Sequence, residues 1–382
     1  MKSTRRALSV AGISGTAAAF AAGAGVSWYY SSRLTEPPAD LAVAEPEPHD
    51  VVDVVEVRGD VVVLRGEDAA RPGVWGLHTA DGYARIHEVI LETDDTDGAD
   101  GGVSRRLEPV RGALLPGTVA VLDGYAYPPD PTTLHPDGHE VLYDSGVGPA
   151  PAWFVPGTSS TWVIAVHGRS AERHEAFRLA STAIALGHPV LAISYRNDRD
   201  APRSPDNRSH LGSTEWIDVE AAIDHALTHG ATDVVLVGYS MGGACAVACV
   251  RNSDRAPFVR GLILDAPVLD WGPVVHRAAR ERGLPAVVLT ALLPVTMAIA
   301  RARVGIDWSE LRSDPAALAH PTLLIHGDED GVVPVELSDA LAHARPDVVT
   351  YLRVPGADHV RGWNADPDVY EMSVRCFLEA LA

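Results

Sequence analysis

Ser240 lies in the stretch Gly238-Tyr239-Ser240-Met241-Gly242, between an apolar run and a series of small residues. A serine hydroxyl attacks a carbonyl carbon well only when a base takes its proton and a carboxylate orients that base. Glycines two positions before and after the serine let a strand and a helix pack closely around a sharp turn. The pattern predicts acyl chemistry at Ser240; the alternative is a glycine-rich turn without chemistry.

Candidate partners for the serine follow later in the chain. The segment LLIHGDEDGVVP carries two acids, Asp328 and Asp330, directly after a predicted strand. The segment GADHVRGW carries His359 near the C-terminus. The order serine, acid, histidine is the one found when the serine sits on a strand-to-helix turn of an α/β sheet.

The elements that must position these residues alternate between strand and helix from about residue 150 onward. Continuous apolar strands of this kind indicate a mostly parallel sheet with helices on both faces. Helices are predicted at 172–187, at 214–230 and from Met241 onward. Strands are predicted at 162–168, 189–195, 233–238, 259–267, 321–327 and 349–356.

From about residue 150 to 382 the sequence resembles the α/β-hydrolase superfamily. The family often carries its acid in the pattern H-G-x-x-D-x-x-V-P, which His326, Gly327, Asp330, Val333 and Pro334 match. The resemblance therefore favours Asp330 over Asp328 as the acid and His359 as the base. The sequence is similar in particular to actinobacterial members of this superfamily that have an N-terminal anchor and an extra N-terminal segment. The resemblance implies a Ser240–Asp330–His359 triad and no metal or organic cofactor.

The resemblance also implies two backbone N–H donors for a developing oxyanion. One is Met241, directly after the serine, and the other is Arg169, which follows a His167-Gly168 pair like that of the family's oxyanion loop. The Arg169 side chain has a second possible use, binding a carboxylate of the substrate. The family's helical cap corresponds here to an insertion at about 270–318, with an apolar run at 284–303.

The function that follows is a serine hydrolase that cleaves carboxylic esters of a small acyl substrate. A serine peptidase of the prolyl-oligopeptidase type and a cell-envelope acyltransferase or thioesterase remain alternatives, as does a non-catalytic binding protein. The net charge of −20, from 31 basic and 51 acidic residues, argues against nucleic acid as a partner. The sequence does not indicate an oligomeric state.

The N-terminal residues 1–35 predict a membrane anchor or a signal segment. Lys2, Arg5 and Arg6 precede an uncharged run from Ala7 to Tyr30, which is 24 residues and long enough to cross a bilayer as a helix. Basic residues at its start predict a cell-membrane protein with its catalytic domain outside the cytoplasm. The alternative is secretion after cleavage of a signal peptide. Residues 36–50, rich in proline and acids, predict an extended linker.

Residues 51–149 predict a small β-rich domain, because short β-branched runs alternate with turn residues. Its acidic stretch 94–102 lacks the spacing of a calcium loop, and His135 and His139 lack further zinc ligands nearby. Three cysteines, Cys245, Cys249 and Cys376, do not form a disulfide framework and are expected to be buried apolar thiols.

Overall fold

The described residues form a six-stranded barrel and an eight-stranded sheet. The computed structural model describes residues 25–40, 48–90, 102–283 and 286–381. Residues 1–24 lie outside the described residues. The acidic stretch 94–102 also lies outside them, except for residue 102. No helix within the described ranges has the length and apolar character needed to cross a membrane.

The barrel is antiparallel and closed, with its strands in the order β1-β2-β5-β4-β3-β6. Alternate side chains of these strands fill a core of their own, which includes Val54, Leu64, Leu77 and Ile86. The barrel lies within the predicted β-rich segment. Because it is closed, it leaves no free strand edge. The strands are β1 Val51–Arg58, β2 Val61–Arg65, β3 Trp75–His78, β4 Gly82–Val89, β5 Val103–Gly112 and β6 Val119–Asp123.

The larger sheet has the order β14-β13-β12-β11-β9-β10-β8-β7. Its neighbours pair in parallel from β14 to β10, whereas β8 runs antiparallel to both β10 and β7. Its strands are β7 His139–Asp144, β8 Pro149–Val155, β9 Thr161–Val166, β10 Val190–Ile193, β11 Asp233–Tyr239, β12 Val259–Asp265, β13 Thr322–Gly327 and β14 Val349–Val354.

Helices cover both faces of this sheet, as the sequence predicts. They are α1 Phe177–Ala185, α2 Trp216–Thr228, α3 Met241–Asn252, α4 Trp271–Glu281, α5 Ala286–Val304, α6 Glu336–Ala344, α7 Gly362–Ala365 and α8 Pro367–Leu381. Buried residues of α2, α3 and α6 belong to one core cluster, and those of α1 and α8 belong to the cluster on the opposite face. Helices α4 and α5 form the insertion between β12 and β13, at the position where the sequence predicts a cap.

Three details differ from the sequence-based expectations. The boundary predicted between residues 149 and 150 is wrong, because β7 already belongs to the larger sheet and only residues 51–123 form the barrel. β7 is an edge strand in which only Tyr143 is buried, so it lacks the long buried apolar run that marks most of the parallel strands. Cys245 and Cys249 are buried as expected, whereas Cys376 is exposed.

Part of the predicted linker 36–50 is not extended, because Pro38–Asp40 and Pro48–Asp50 form 3-10 turns. Residues 25–34, within the segment predicted as an anchor or signal, are helical, and Ser27 Oγ donates a hydrogen bond to Leu292 O of α5 at 3.4 Å. Further along, Ser209 N–H donates to Thr35 O at 3.0 Å, and Arg203 pairs with Asp40 at 2.8 Å. Residues 33–40 therefore lie against the loop that follows β10, because backbone groups and charges there find partners on the sheet's carboxyl edge.

Candidate functional site

Ser240 occupies the turn between the end of β11 and the start of α3, where its backbone has φ 50° and ψ −114°. A positive φ is uncommon for a residue with a Cβ and costs roughly 1–3 kcal/mol unless surrounding contacts hold it. Ser240 N–H donates to Asp265 O at 2.9 Å, and Ser240 O accepts from Val268 N–H at 3.0 Å. The neighbouring β12 segment therefore holds the serine in its strained conformation.

The glycines around Ser240 are required by close backbone approach. A Cβ on Gly242 would lie 2.0 Å from Val166 O, and one on Gly238 would lie 2.5 Å from Gly243 Cα. Neither position has room for a methyl group, since the colliding atoms belong to the backbone. The G-x-S-x-G pattern thus reflects strand–helix packing at this turn.

Ser240, His359 and Asp330 form one chain of hydrogen bonds. Ser240 Oγ lies 3.0 Å from His359 Nε2, and His359 Nδ1 lies 2.7 Å from Asp330 Oδ2. With the Nδ1 proton directed at the carboxylate, Nε2 presents a lone pair to the serine hydroxyl. Three residues separated by 90 and 29 positions along the chain are thus brought into mutual contact by β11, β13 and the loop after β14.

Asp330 is buried and surrounded by hydrogen-bond donors. Its Oδ1 accepts from the N–H groups of Val332 and Val333, both at 2.7 Å, and its Oδ2 accepts from His326 Nε2 at 3.0 Å as well as from His359. Burial raises the pKa of Asp330, but the hydrogen bonds from His326 and His359 outweigh it and hold the pKa well below its ordinary value. The carboxylate is therefore ionised at neutral pH.

Asp328, the other candidate acid, does not contact the histidine ring in the hydrogen bonds that the structure shows. Its Oδ1 instead accepts from Gly356 N–H at 2.7 Å and so closes the turn after β14. Asp328 directly follows the last residue of β13, whereas Asp330 lies three residues beyond the strand end, where its carboxylate contacts His326. The contacts thus distinguish two residues that the strand-end position alone did not.

The turn after β9 places Gly168 against Ser240, since a Cβ on Gly168 would lie 3.1 Å from Ser240 Cβ. Gly168 O accepts from His167 Nδ1 at 2.8 Å and from the Tyr195 hydroxyl at 3.3 Å. Gly168 O and Arg169 N–H belong to one planar trans peptide and point in opposite directions. The Arg169 N–H therefore points away from the His167 and Tyr195 side chains.

His167 is itself held by a buried ion pair. Its Nε2 lies 3.0 Å from Asp198 Oδ2, and both side chains are almost fully buried. Burial lowers the pKa of His167, but the charge and hydrogen bond of Asp198 outweigh this and raise it to about 9. The imidazolium keeps a proton on Nδ1 for Gly168 O at neutral pH.

Met241, the other sequence-predicted N–H donor, is the first residue of α3 and is almost fully buried. The first N–H groups of an α-helix have no partner within the helix, and the helix dipole gives them positive potential. The structure thus brings both predicted backbone positions, Met241 and Arg169, to turns that adjoin Ser240.

The Arg169 side chain turns towards the N-terminal segment. Its Nη2 donates to Arg33 O at 3.2 Å and to Glu36 O at 3.0 Å. These two carbonyl groups both bind Nη2 of the guanidinium, so this nitrogen is directed at the N-terminal segment. The contact was not predicted, because residues 33–36 are distant in sequence and read as part of an anchor and a linker.

A cavity of about 730 Å³ opens beside this turn. Its wall includes Ser170 and Glu172 from the turn, Trp153 from β8 and Arg33 from the N-terminal segment. Among the described residues, neither Ser240 nor His359 contributes to this wall. The cavity and the three hydrogen-bonded side chains therefore occupy neighbouring but different places.

Comparisons with known proteins agree with this fold. A sequence model of the Alpha/beta hydrolase family matches residues 154–371, more than half of the chain. A model described as a domain of unknown function (DUF8805) matches residues 50–123, which contain the barrel. The esterase Pf2001 of Pyrococcus furiosus superimposes with a TM-score of 0.52 at 19% identity, covering 65% of this chain and 93% of that chain.

Two curated relatives are similar in sequence over much of their length. Uncharacterized protein Rv2307c of Mycobacterium tuberculosis is 25% identical over 264 residues, which cover 66% of this chain and 84% of the relative. Uncharacterized protein YfhR of Escherichia coli is 22% identical over 237 residues, which cover 60% of this chain and 76% of the relative. The family model, which matches more than half of the chain, shows that the chain belongs to the Alpha/beta hydrolase family.

Proposed function

We propose that this protein is a serine hydrolase that cleaves carboxylic esters through an acyl-enzyme. The observation that carries the proposal is the continuous hydrogen-bond chain from Ser240 Oγ through His359 to the ionised Asp330. A strained serine, an imidazole with its lone pair directed at the hydroxyl and a buried carboxylate together meet the requirements of an activated nucleophile.

In the proposed reaction, Ser240 Oγ attacks the ester carbonyl carbon while His359 Nε2 takes the hydroxyl proton. The N–H groups of Met241 and Arg169 stabilise the oxyanion. Collapse of the tetrahedral intermediate breaks the bond to the leaving alcohol, which receives the proton from His359. A water molecule, deprotonated by His359, then attacks the acyl carbon and releases the acid and the free serine.

The apolar composition of α5 supports an ester with an apolar acyl group. This helix adjoins α4, whose Arg277 donates a hydrogen bond to Asp330 O, so the insertion lies beside the acid of the proposed triad. The fold-level likeness to the Pyrococcus furiosus esterase is compatible with this substrate class. No comparable observation favours a peptidase, since the N-terminal β-structure is one closed barrel and not a set of propeller blades.

We also propose a location, and the sequence alone supports it. The uncharged run from Ala7 to Tyr30 after three basic residues supports a cell-membrane protein whose catalytic part lies outside the cytoplasm. We expect external protease to digest the catalytic part in intact spheroplasts. Protection of that part until lysis would contradict the proposed orientation.

The test of the activity uses the full chain in mild detergent with p-nitrophenyl esters from acetate to laurate. We expect turnover that falls at least about 10³-fold in Ser240→Ala, because the nucleophile is removed. Ser373→Ala is the matched control, since Ser373 Oγ donates only to Val369 O on the exposed face of α8. Equal turnover by the wild type and Ser240→Ala would refute the proposal.

A further inference from the structure

One buried ion pair lies between the two loops that carry the proposed site. Glu175 belongs to the 3-10 turn Arg173–Ala176, and Arg178 is the second residue of α1. Arg178 Nη2 lies 3.6 Å from Glu175 Oε1, and the two residues are 1% and 5% exposed. The mechanism proposed above does not use either side chain.

Glu175 acts on the turn that carries Arg169. Its Oε2 accepts a hydrogen bond from Gly168 N–H at 2.9 Å, while Oε1 faces Arg178. The peptide that follows is held from its other end, because Gly168 O accepts from His167 and Tyr195. Gly168 directly precedes Arg169. Glu175 thus holds the N–H group of Gly168, while His167 and Tyr195 hold its carbonyl group.

Arg178 acts on the loop that carries His359. Its Nη1 donates to Val360 O at 2.7 Å and to Asn364 Oδ1 at 2.9 Å. Val360 directly follows His359 and has φ 53°, a strained conformation for a β-branched residue. The hydrogen bond from Arg178 is therefore placed to hold a loop whose backbone would otherwise relax.

The same guanidinium reaches the barrel. Arg178 Nη1 is 3.2 Å from Gly124 O, directly after β6, and Asn364 also pairs with Val74 through its backbone O and its side-chain Nδ2, both at 2.8 Å. The Nε and Nη2 atoms of Arg178 have no hydrogen-bond partner among the described residues. The charge of Arg178 is therefore balanced chiefly by the carboxylate of Glu175. A buried arginine in this position is costly unless the pair is kept intact.

We propose that Glu175 and Arg178 are positioning residues that together set the separation between the Arg169 N–H and His359. This inference rests on the proposed function, since it assigns a role in the same reaction. The pair joins two loops that are far apart in sequence. Their relative position must be precise, because a displacement of about 1 Å at a reacting group costs roughly 10²-fold in rate. Oxyanion stabilisation is made mainly in the transition state, so the pair acts on kcat and not on KM.

The experiment measures kcat and KM of the full chain for p-nitrophenyl acetate, with the inhibition constant of an aryl trifluoromethyl ketone, which forms an oxyanion on the serine. We expect Glu175→Ala and Arg178→Met each to lower kcat about 10- to 100-fold with KM little changed. The ketone should bind more weakly by a similar factor. Glu175→Gln keeps an acceptor for Gly168 N–H and should recover part of the loss.

The double variant adds a second criterion. Because both residues act through one link, the loss in Glu175→Ala/Arg178→Met should be close to the larger single loss and well below the product of the two. If Glu175→Ala does not fold, Arg178→Met and Arg178→Lys provide the same comparison of kcat with KM.

The matched control is Arg105→Met. Arg105 is also buried and donates to backbone carbonyls, but these belong to His87, Ala69, Arg71 and Gly73 of the barrel region. It should lower the melting temperature and leave kcat almost unchanged. Folded variants of Glu175 and Arg178 with wild-type kcat and wild-type ketone affinity would overturn the inference while Ser240-dependent turnover, and with it the proposed function, remained.

Discussion

His326 Nε2 lies 3.0 Å from Asp330 Oδ2, directly beneath the carboxylate that contacts His359. His326 is fully buried, and its Nε2 donates this hydrogen bond because an ionised carboxylate can only accept; its Nδ1 lies 2.7 Å from Ser338 Oγ. The spacing of His326 and Asp330 in the H-G-x-x-D pattern thus has a physical cause. The histidine of the pattern orients the acid.

Asp330 and Asp328 provide the first prediction. Asp330→Asn should lower kcat by about 10⁴-fold, because an amide in this place no longer favours the productive histidine tautomer. Asp328→Asn is the control and should change kcat by less than about threefold, since Asp328 only caps a turn. Steady-state hydrolysis of p-nitrophenyl acetate measures both. A large loss in Asp328→Asn with little loss in Asp330→Asn would reverse the assignment.

The His167–Asp198 pair predicts a loss of stability in alkaline solution. The pKa of folded His167 is about 9, above its ordinary value of 6.5. A folded-state pKa above the unfolded one contributes stability that is complete below about pH 6.5 and is lost as pH rises through about 9. The melting temperature should therefore fall between pH 7 and pH 10.

Asp198→Asn is the comparison for this pH dependence. Without the carboxylate, His167 loses the interaction that raises its pKa, so the variant should be less stable at pH 7 and less dependent on pH up to 10. Melting curves at intervals of half a pH unit make the comparison. Parallel pH profiles for the wild type and the variant would contradict the role given to this pair.

A substitution at Arg169 distinguishes the role of its backbone N–H from that of its side chain. Arg169→Ala keeps the backbone N–H, so kcat for p-nitrophenyl acetate should stay within about threefold of the wild type. The variant loses the bonds to Arg33 O and Glu36 O, so trypsin should cleave after Arg33 faster, as measured by mass spectrometry. A selective loss of activity on an ester whose acyl group carries a carboxylate would instead assign the side chain to substrate binding.

Gly242 gives a prediction about the serine turn. A methyl group there collides with Val166 O, so Gly242→Ala should lower the free energy of unfolding by about 1–3 kcal/mol or more and reduce turnover. Gly25→Ala is the control, because a Cβ on Gly25 meets nothing within 4 Å. Chemical denaturation of both variants makes the measurement. Equal stability of the two would show that the turn has more room than the distances indicate.

Much of the fold could be predicted because its signals are local. The parallel strands are continuous apolar runs, and Gly238 and Gly242 indicate the tight turn around Ser240. β7 was missed because an edge strand with one face in solvent lacks such a run. The barrel's closure could not be predicted, since it depends on the pairing of β1 with β6 across the whole segment.

The site could be predicted only in part, for a similar reason. Ser240, Asp330 and His359 stand at positions that chain order and a family pattern single out. Glu175 and Arg178 lie in a predicted helix, where charged residues usually face solvent, and their burial depends on contacts with Gly168 and Val360. The contact between Arg169 and residues 33–36 depends on tertiary structure in the same way.

The most direct test of the account is the site of covalent labelling by a fluorophosphonate. The full chain is treated with the probe in detergent, digested and analysed by mass spectrometry. We predict one modified residue, Ser240, with labelling that is abolished in Ser240→Ala and strongly slowed in His359→Ala, because the imidazole must take the serine proton. Absence of labelling on a folded protein, or labelling that persists in Ser240→Ala, would contradict the assignment of Ser240 as the nucleophile.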